Sequence, residues 1–139
     1  MARATISKEL HFECAGETGT LGFITITLRD AGINIIHLLG YSAEGKAFFQ
    51  IILSDAEKAQ KVLSAEIKNV VIRDVLIVEF ENKLGTLSDV AKLLGQNSVD
   101  ISECYGTSSD GFKIVGIFST DDNAKAAKLI NAQSGHLAS

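Results

Sequence analysis

The chain of 139 residues has no proline and no tryptophan, one methionine and two cysteines. Without proline, its turns must rest on glycine, asparagine and aspartate, and no proline-rich linker divides it. Cys14 and Cys104 form no CxxC pair, and neither has a His or Cys two to five positions away. That spacing offers neither a zinc site nor a redox motif, and both thiols are expected to be small buried apolar residues. No apolar run approaches the roughly eighteen residues that span a bilayer, so no membrane partner is expected. The stretch Met1 to Glu9 lacks the long apolar segment of a secretory signal, and a cytoplasmic protein is the expectation. Basic charge is also short, with 13 Lys plus Arg against 17 Asp plus Glu and a net charge of -4. A phosphate backbone needs the opposite balance, so nucleic acid is excluded as a partner. What remains is 46% hydrophobic and 22% charged, the composition of a chain that buries a core.

Sliding the sequence against itself gives one offset that matters, 66 residues, which lays Gly19-Thr20-Leu21 on Gly85-Thr86-Leu87. From Arg3/Asn69 to Ser64/Ile130 the register holds without a gap, with identities that include Leu10/Leu76, Leu28/Leu94, Gly40/Gly106 and Ile51/Ile117. Other pairs exchange apolar for apolar, such as Ile24/Val90 and Ile33/Val99, so the buried pattern repeats as well. Two copies of one unit fill the chain. A unit of about sixty residues is marginal alone, and the copies are expected to pack together. The domains are read as 7–73 and 74–133, followed by a polar tail, 134–139.

Within the second copy, Leu76, Val78 and Phe80 alternate with Ile77 and Glu79 as a strand, 75–80. Leu87, Val90, Leu93 and Leu94 then recur at helical spacing, about 87–96, behind Thr86 and Asp89, which can form a variant capping box. Two apolar runs, Val99–Ser108 and Phe112–Phe118, join through Asp110-Gly111 as a hairpin, and the Ala- and Lys-rich stretch from Asp121 makes a second helix. The order is β-α-β-β-α. In the first copy Phe23 to Leu28 alternates like a strand, but its counterpart is helical and the repeat overrides propensity. Ser54 and Glu57 are read as a capping box on a helix over 55–64, and Ala43-Glu44-Gly45-Lys46 as the matching hairpin turn. Ile67 to Arg73 supplies a sixth element to the first copy, whereas the polar tail cannot do so for the second. Residues 3–6 align with 69–72 and are expected to complete the second sheet. The fold class is α+β: two ferredoxin-like βαββαβ units with antiparallel sheets and helices on one face.

The turn Glu79 to Leu87, followed after the helix by Ser98-Val99-Asp100-Ile101, resembles the ACT domain, a ligand-sensing module of amino-acid metabolism. The first copy carries a fainter version in Gly16 to Leu21 and Gly32-Ile33-Asn34-Ile35; the proline many family members place before the turn glycine is Leu84 here and Thr18 in the first copy. The resemblance covers nearly the whole chain as a tandem ACT protein with no catalytic domain. Physically, Gly85 permits a tight turn, and the amides of Thr86 and Leu87 at a helix N-terminus attract a carboxylate. Gly19, Thr20 and Leu21 repeat the arrangement. The resemblance implies acceptors for an ammonium group at Asn82 and Asp100 in the second copy and at Asn34 in the first. Gly16 stands where Asn82 does, so the second copy is expected to bind better, with Asp100 offering a charge. The resemblance also implies a ligand held between two domains, one giving the turn and another the strand-two residue.

Each residue has a plainer reading. A glycine before a helix is commonly only a turn, a threonine after it only a cap, and polar residues at strand starts face solvent. Asp121-Asp122 near Glu103 suits a helix opening better than a cation, and no role falls to His11, which lies on the sheet face opposite Leu10 and Phe12, or to His37 and His136. No catalytic constellation, metal or cofactor motif is present in the sequence. An RNA-binding sheet is opposed by the charge and by the lack of an aromatic-rich strand. The leading expectation is a non-enzymatic regulatory protein that binds a free amino acid and works as a homodimer or larger homo-oligomer. The alternative is an assembly subunit that pairs with a metabolic enzyme without binding ligand, through an exposed sheet face carrying Ile, Phe and His.

Overall fold

A computed structural model describes residues 2–133, and the tail 134–139 with His136 lies outside the described residues. The elements run β1 (Arg3–Ala15), α1 (Thr20–Asp30), β2 (Ile35–Ala43), β3 (Lys46–Leu53), α2 (Ala56–Leu63), β4 (Val71–Glu81), α3 (Thr86–Gln96), β5 (Ile101–Thr107), β6 (Lys113–Thr120) and α4 (Asn123–Gln133). The chain separates into a first unit, Lys8–Arg73, and a second, which joins the chain from Asp74 onward to the segment ending at Ser7. Both β1 and β4 are continuous strands divided between the units. In sheet order the first unit therefore reads β2-β3-β1-β4 and the second β5-β6-β4-β1. The sequence reading broke the chain between Ile67–Arg73 and 75–80; in the structure Val71 to Glu81 is one strand.

Each unit has its own core on the helix-covered face of its sheet. In the first, Leu10 and Phe12 of β1 and Phe49, Ile51 and Leu53 of β3 meet Ile24 and Leu28 of α1 and Ala59 and Leu63 of α2. In the second, Leu76, Val78 and Phe80 meet Val90 and Leu94 of α3 and Ala126 and Ile130 of α4, together with Ala4. The edge segment at Ala4 is held by α4: the Ala4 N–H donates to Asn131 Oδ1 at 2.8 Å and Asn131 Nδ2 donates to the Ala4 carbonyl at 2.9 Å, both buried. In the first unit Gln60 Nε2 of α2 donates to the Val70 carbonyl at 2.9 Å, and Val70 is the repeat counterpart of Ala4.

The strand-like segment Phe23 to Leu28 is helical, because burying Ile24 and Leu28 outweighs a propensity cost of a few tenths of a kcal/mol per β-branched residue. Its threonines adapt: Thr25 Oγ1 donates to the Leu21 carbonyl at 2.9 Å and Thr27 Oγ1 to the Phe23 carbonyl at 2.7 Å. Two cap assignments need correction. Asp55, not Ser54, caps α2 by accepting from the Lys58 N–H, while Ser54 Oγ accepts from the Asn34 N–H. Gly85 caps α3 with no side-chain bond, and Thr86 is the first helical residue. The cysteines are corrected too. Cys104 is exposed on β5, the last strand in the sheet order, and Cys14 is half-buried, with desolvation raising its thiol pKa. On the sheet face opposite the first core, His11 Nε2 lies 2.5 Å from the buried carboxylate of Glu9, and Tyr41 stacks on Phe48.

Candidate functional site

The strand-to-helix elbows are built alike in both units. Gly19 sits at φ 92° and Gly85 at φ 90°, the left-handed region that glycine enters without steric cost. Each is followed by a threonine whose hydroxyl turns back into the loop. Thr20 Oγ1 donates to the Glu17 carbonyl at 2.8 Å, and Thr86 Oγ1 to the carbonyls of Glu81 at 2.7 Å and Lys83 at 3.0 Å. The threonine amides are also engaged, Thr20 N–H on Glu17 O and Thr86 N–H on Lys83 O, both at 3.2 Å. The amides that begin the helical ladder are Phe23, bonded to Gly19 O at 2.9 Å, and Asp89, bonded to Gly85 O at 2.8 Å. Between them, the N–H groups of Leu21 and Gly22, and of Leu87 and Ser88, have no protein acceptor among the described residues. The expectation that the Thr86 amide would face a ligand is thus corrected: Leu87 and Ser88 carry the open donors, because the loop carbonyl takes the threonine's.

The flanks of the elbows differ. In the first unit the Gly16 N–H donates to Gly45 O at 2.9 Å, and a Cβ added at Gly16 would lie 3.0 Å from that oxygen, so the hairpin leaves no room for a side chain. In the second unit the Asn82 N–H donates to Phe112 O at 2.8 Å, and its Nδ2 reaches Gly111 O, the counterpart of Gly45 O, at 3.0 Å. This bond fixes the exposed Asn82 amide beside the elbow. Lys83 Nζ pairs with Glu81 at 2.6 Å; the bond holds the ammonium pKa up and the carboxyl pKa down. The first-unit counterparts of Glu81 and Lys83 are Ala15 and Glu17, so an ion pair at the second elbow stands where the first has a single acidic residue. Lys83 went unassigned from the sequence, although the Glu17/Lys83 pair in the repeat was the signal for it.

Gly85 and Asp100 stand at opposite ends of α3, a helix of 11 residues, which separates them by about 16 Å of helix rise. Asp100 is exposed; its N–H donates to Asp121 Oδ1 at 2.9 Å and its carbonyl accepts from the Asp121 N–H at 3.1 Å. Asn34 is placed the same way past α1, its N–H on Ser54 Oγ at 3.0 Å and its carbonyl accepting from the Ser54 N–H at 2.9 Å. One unit therefore does not bring its own elbow and its own strand-two residue together. Cavities adjoin the elbows. In the first unit a cavity of about 540 Å³ runs from Gly16–Leu21 to Leu38, Gly40 and Tyr41 of β2. In the second, one of about 500 Å³ lies between Thr86, Asp89 and Leu93 of α3 and Ile130 of α4. Among the described residues no group of three or more His, Cys, Asp or Glu is placed to hold a metal ion, and no helix is long and apolar enough to cross a membrane.

Residues 5–137 match the sequence model of a family described as the ACT domain pair. Among solved structures, a protein of Bacteroides thetaiotaomicron matches with a TM-score of 0.85 at 23% identity, over 94% of this chain and 90% of that one. The ligand-free regulatory subunit of aspartate kinase from Thermus thermophilus matches with a TM-score of 0.67 at 11% identity, over 95% and 96% of the two chains. The corresponding subunit from Thermus flavus gives 0.65 at 15% identity over 97% of each. No curated protein matches the sequence. At these identities the structural likeness establishes the fold.

Proposed function

We propose, because the chain belongs to the family of ACT domain pairs, that it is a non-catalytic regulatory protein that binds a free amino acid at its glycine elbows. One observation carries the reading: two adjacent helix-terminal amides stand open behind a left-handed glycine, twice, at one offset in the sequence. Open N–H groups at a helix N-terminus, with the helix dipole behind them, suit a carboxylate. The likeness of the fold to regulatory subunits of aspartate kinase supports the same class of role.

In this reading the amides of Leu87 and Ser88 receive the ligand carboxylate at the second elbow. Gly85 allows the approach, Thr86 locks the loop, and Lys83 balances Glu81, so the elbow sets no net negative charge against the carboxylate. Asn82 offers its Oδ1 to the ammonium group. Asp100 is too far from its own elbow to help and would serve the elbow of a second copy of the chain. Gly19, Thr20 and Leu21, with Asn34, form the weaker site, because Glu17 repels a carboxylate and Gly16 supplies no side chain. Titration of each of the twenty amino acids against thermal unfolding tests the proposal. A ligand at 100 times its dissociation constant stabilises by about 2.7 kcal/mol, and Lys83→Glu should abolish most of that shift at the second elbow. If none of the twenty shifts unfolding, the ligand reading fails and the alternative, an assembly subunit of a metabolic enzyme, takes its place.

A further inference from the structure

The cavity along α3 in the second unit has a counterpart in the first. Cys14, Thr20, Ile24 and Ile67 line a cavity of about 440 Å³ there. Their repeat counterparts Phe80, Thr86, Val90 and Gln133 all line the cavity of about 500 Å³ in the second unit. The two differ at the last of these positions. In the first unit the chain passes from α2 to β4 through residues 64–70, and Ile67 joins the core, only 8% exposed. In the second unit the strand segment at Ala4 comes from the other end of the chain, so no connection joins it to α4. The counterpart of Ile67 is then Gln133, an exposed residue of α4. The α1 residues lining the first cavity end at Ile24, whereas the second cavity runs on along α3 to Leu93. Its floor is Val90 and Ile130 of the core, and its charged groups, Asp89 and Lys92, are exposed at the rim.

We infer that the ligand of the second elbow is an amino acid with a branched aliphatic side chain, leucine, isoleucine or valine, which takes the place that Ile67 takes in the first unit. The inference rests on the ligand reading above and names the chemical class of that ligand. Position supports it first. Thr86 and Asp89 line the cavity and flank Leu87 and Ser88, whose open amides receive the carboxylate, so the cavity begins beside the head group. Chemistry supports it next. The floor is apolar, and the Thr86 hydroxyl donates to the loop carbonyls of Glu81 and Lys83, so a polar side chain buried there would lack a donor. The duplicate supplies the size, because a unit built on the same plan accepts an isoleucine from its own chain at this position. The first unit thus carries such a side chain itself, and the second elbow is the one that selects by side chain.

Calorimetric titration of the full chain with alanine, valine, leucine, isoleucine and glutamate tests the class. Leucine or isoleucine should bind about tenfold or more tighter than alanine, the discrimination that added methylenes gain in an apolar pocket. Glutamate should bind more weakly than either. Gln133→Ile restores the residue of the first unit and should weaken leucine and isoleucine about tenfold while leaving alanine unchanged, a selectivity that a folding defect would not produce. Leu93→Thr, which also brings in the first-unit residue, should weaken the branched ligands in the same selective way. Glutamate or another polar amino acid bound more tightly than leucine overturns the inference and leaves the elbow reading standing; if no amino acid binds, both fail. Deleting residues 134–139 should leave the affinity for leucine unchanged. A gain in that affinity on deletion would assign the cavity to the chain's own tail and overturn the inference.

Discussion

The two elbows hold their glycines within 2° of each other in φ, at 92° and 90°, while almost everything around them has changed. Gly16 corresponds to Asn82, Glu17 to Lys83, and Phe23 to Asp89. The difference teaches that the elbow is a backbone device. Its geometry depends on one left-handed residue and a threonine that folds its hydroxyl into the loop, so neighbouring side chains were free to diverge. One copy carries Asn82 and a Glu81–Lys83 ion pair beside its elbow, and the other carries Gly16 and Glu17 and a helix without charge from Thr20 to Leu28. The same logic governs the segments at Ala4 and Val70. Asn131 makes two buried bonds to Ala4 in the second unit, whereas Gln60 makes one partly buried bond to Val70 in the first.

That contrast sets the largest expected effect. Asn131→Ala leaves both backbone groups of Ala4 without their partner in a buried setting, and should cost about 2–3 kcal/mol in chemical denaturation. Gln60→Ala removes a single bond and should cost about 1 kcal/mol. Equal losses in the two variants would break the comparison. Amide exchange of Ala4 and its neighbours should accelerate in the first variant and not in the second.

Much of this architecture was legible because the chain is written twice. The offset of 66 residues turned Phe23–Leu28, which alternates like a strand, into a helix by reference to its duplicate, and α1 is helical. Local signals misled where a side chain had a competing partner. Ser54 looks like a cap, but the strand-start amide of Asn34 draws its hydroxyl, and Asp55 takes the helix. Cys104 has the apolar character of a core residue, but it lies on a strand at the end of the sheet order, and such positions are covered on one side only. The candidate site was legible in kind and incomplete in geometry. The pattern around Gly85 identifies the elbow, while the separation of Asp100 from it, about 16 Å of helix rise, is set by the length of α3 and not by residue type. The sequence likewise does not show that Thr86 spends its own amide on Lys83, because turn carbonyls leave no mark in the residue pattern.

The elbows themselves give the next effect. A Cβ added at Gly19 or Gly85 meets nothing within 4 Å, so space is not the obstacle. The penalty is the left-handed backbone, about 1–2 kcal/mol for a residue with a side chain. Gly19→Ala and Gly85→Ala should therefore destabilise equally in thermal unfolding. A larger loss at one would mean that the two elbows differ in a way their shared φ conceals. Ligand titration of the same variants sharpens the contrast, since the proposed roles place the greater loss of binding at Gly85.

The smallest effect concerns the other end of the helices, where the copies solve one problem with different residues. After α1, Gly32 sits at φ 74°; after α3, the counterpart is Ser98 at φ 60°. Both ends close the same way, with Ile33 N–H on Leu28 O and Val99 N–H on Leu94 O, each at 2.9 Å, as helices do when a left-handed residue follows the last turn. Glycine adopts that conformation freely, while serine pays about 1–2 kcal/mol for it. Part of the difference returns through the greater unfolded-state freedom of glycine, about 0.5–1 kcal/mol. Ser98→Gly should therefore stabilise the chain by roughly 0.5–1 kcal/mol, and Gly32→Ser should destabilise it by a similar amount, both read from the midpoint of urea unfolding at constant slope. If Ser98→Gly instead weakens the protein, the serine hydroxyl contributes something its glycine counterpart does not need, and the two helix ends are equivalent in shape but not in function.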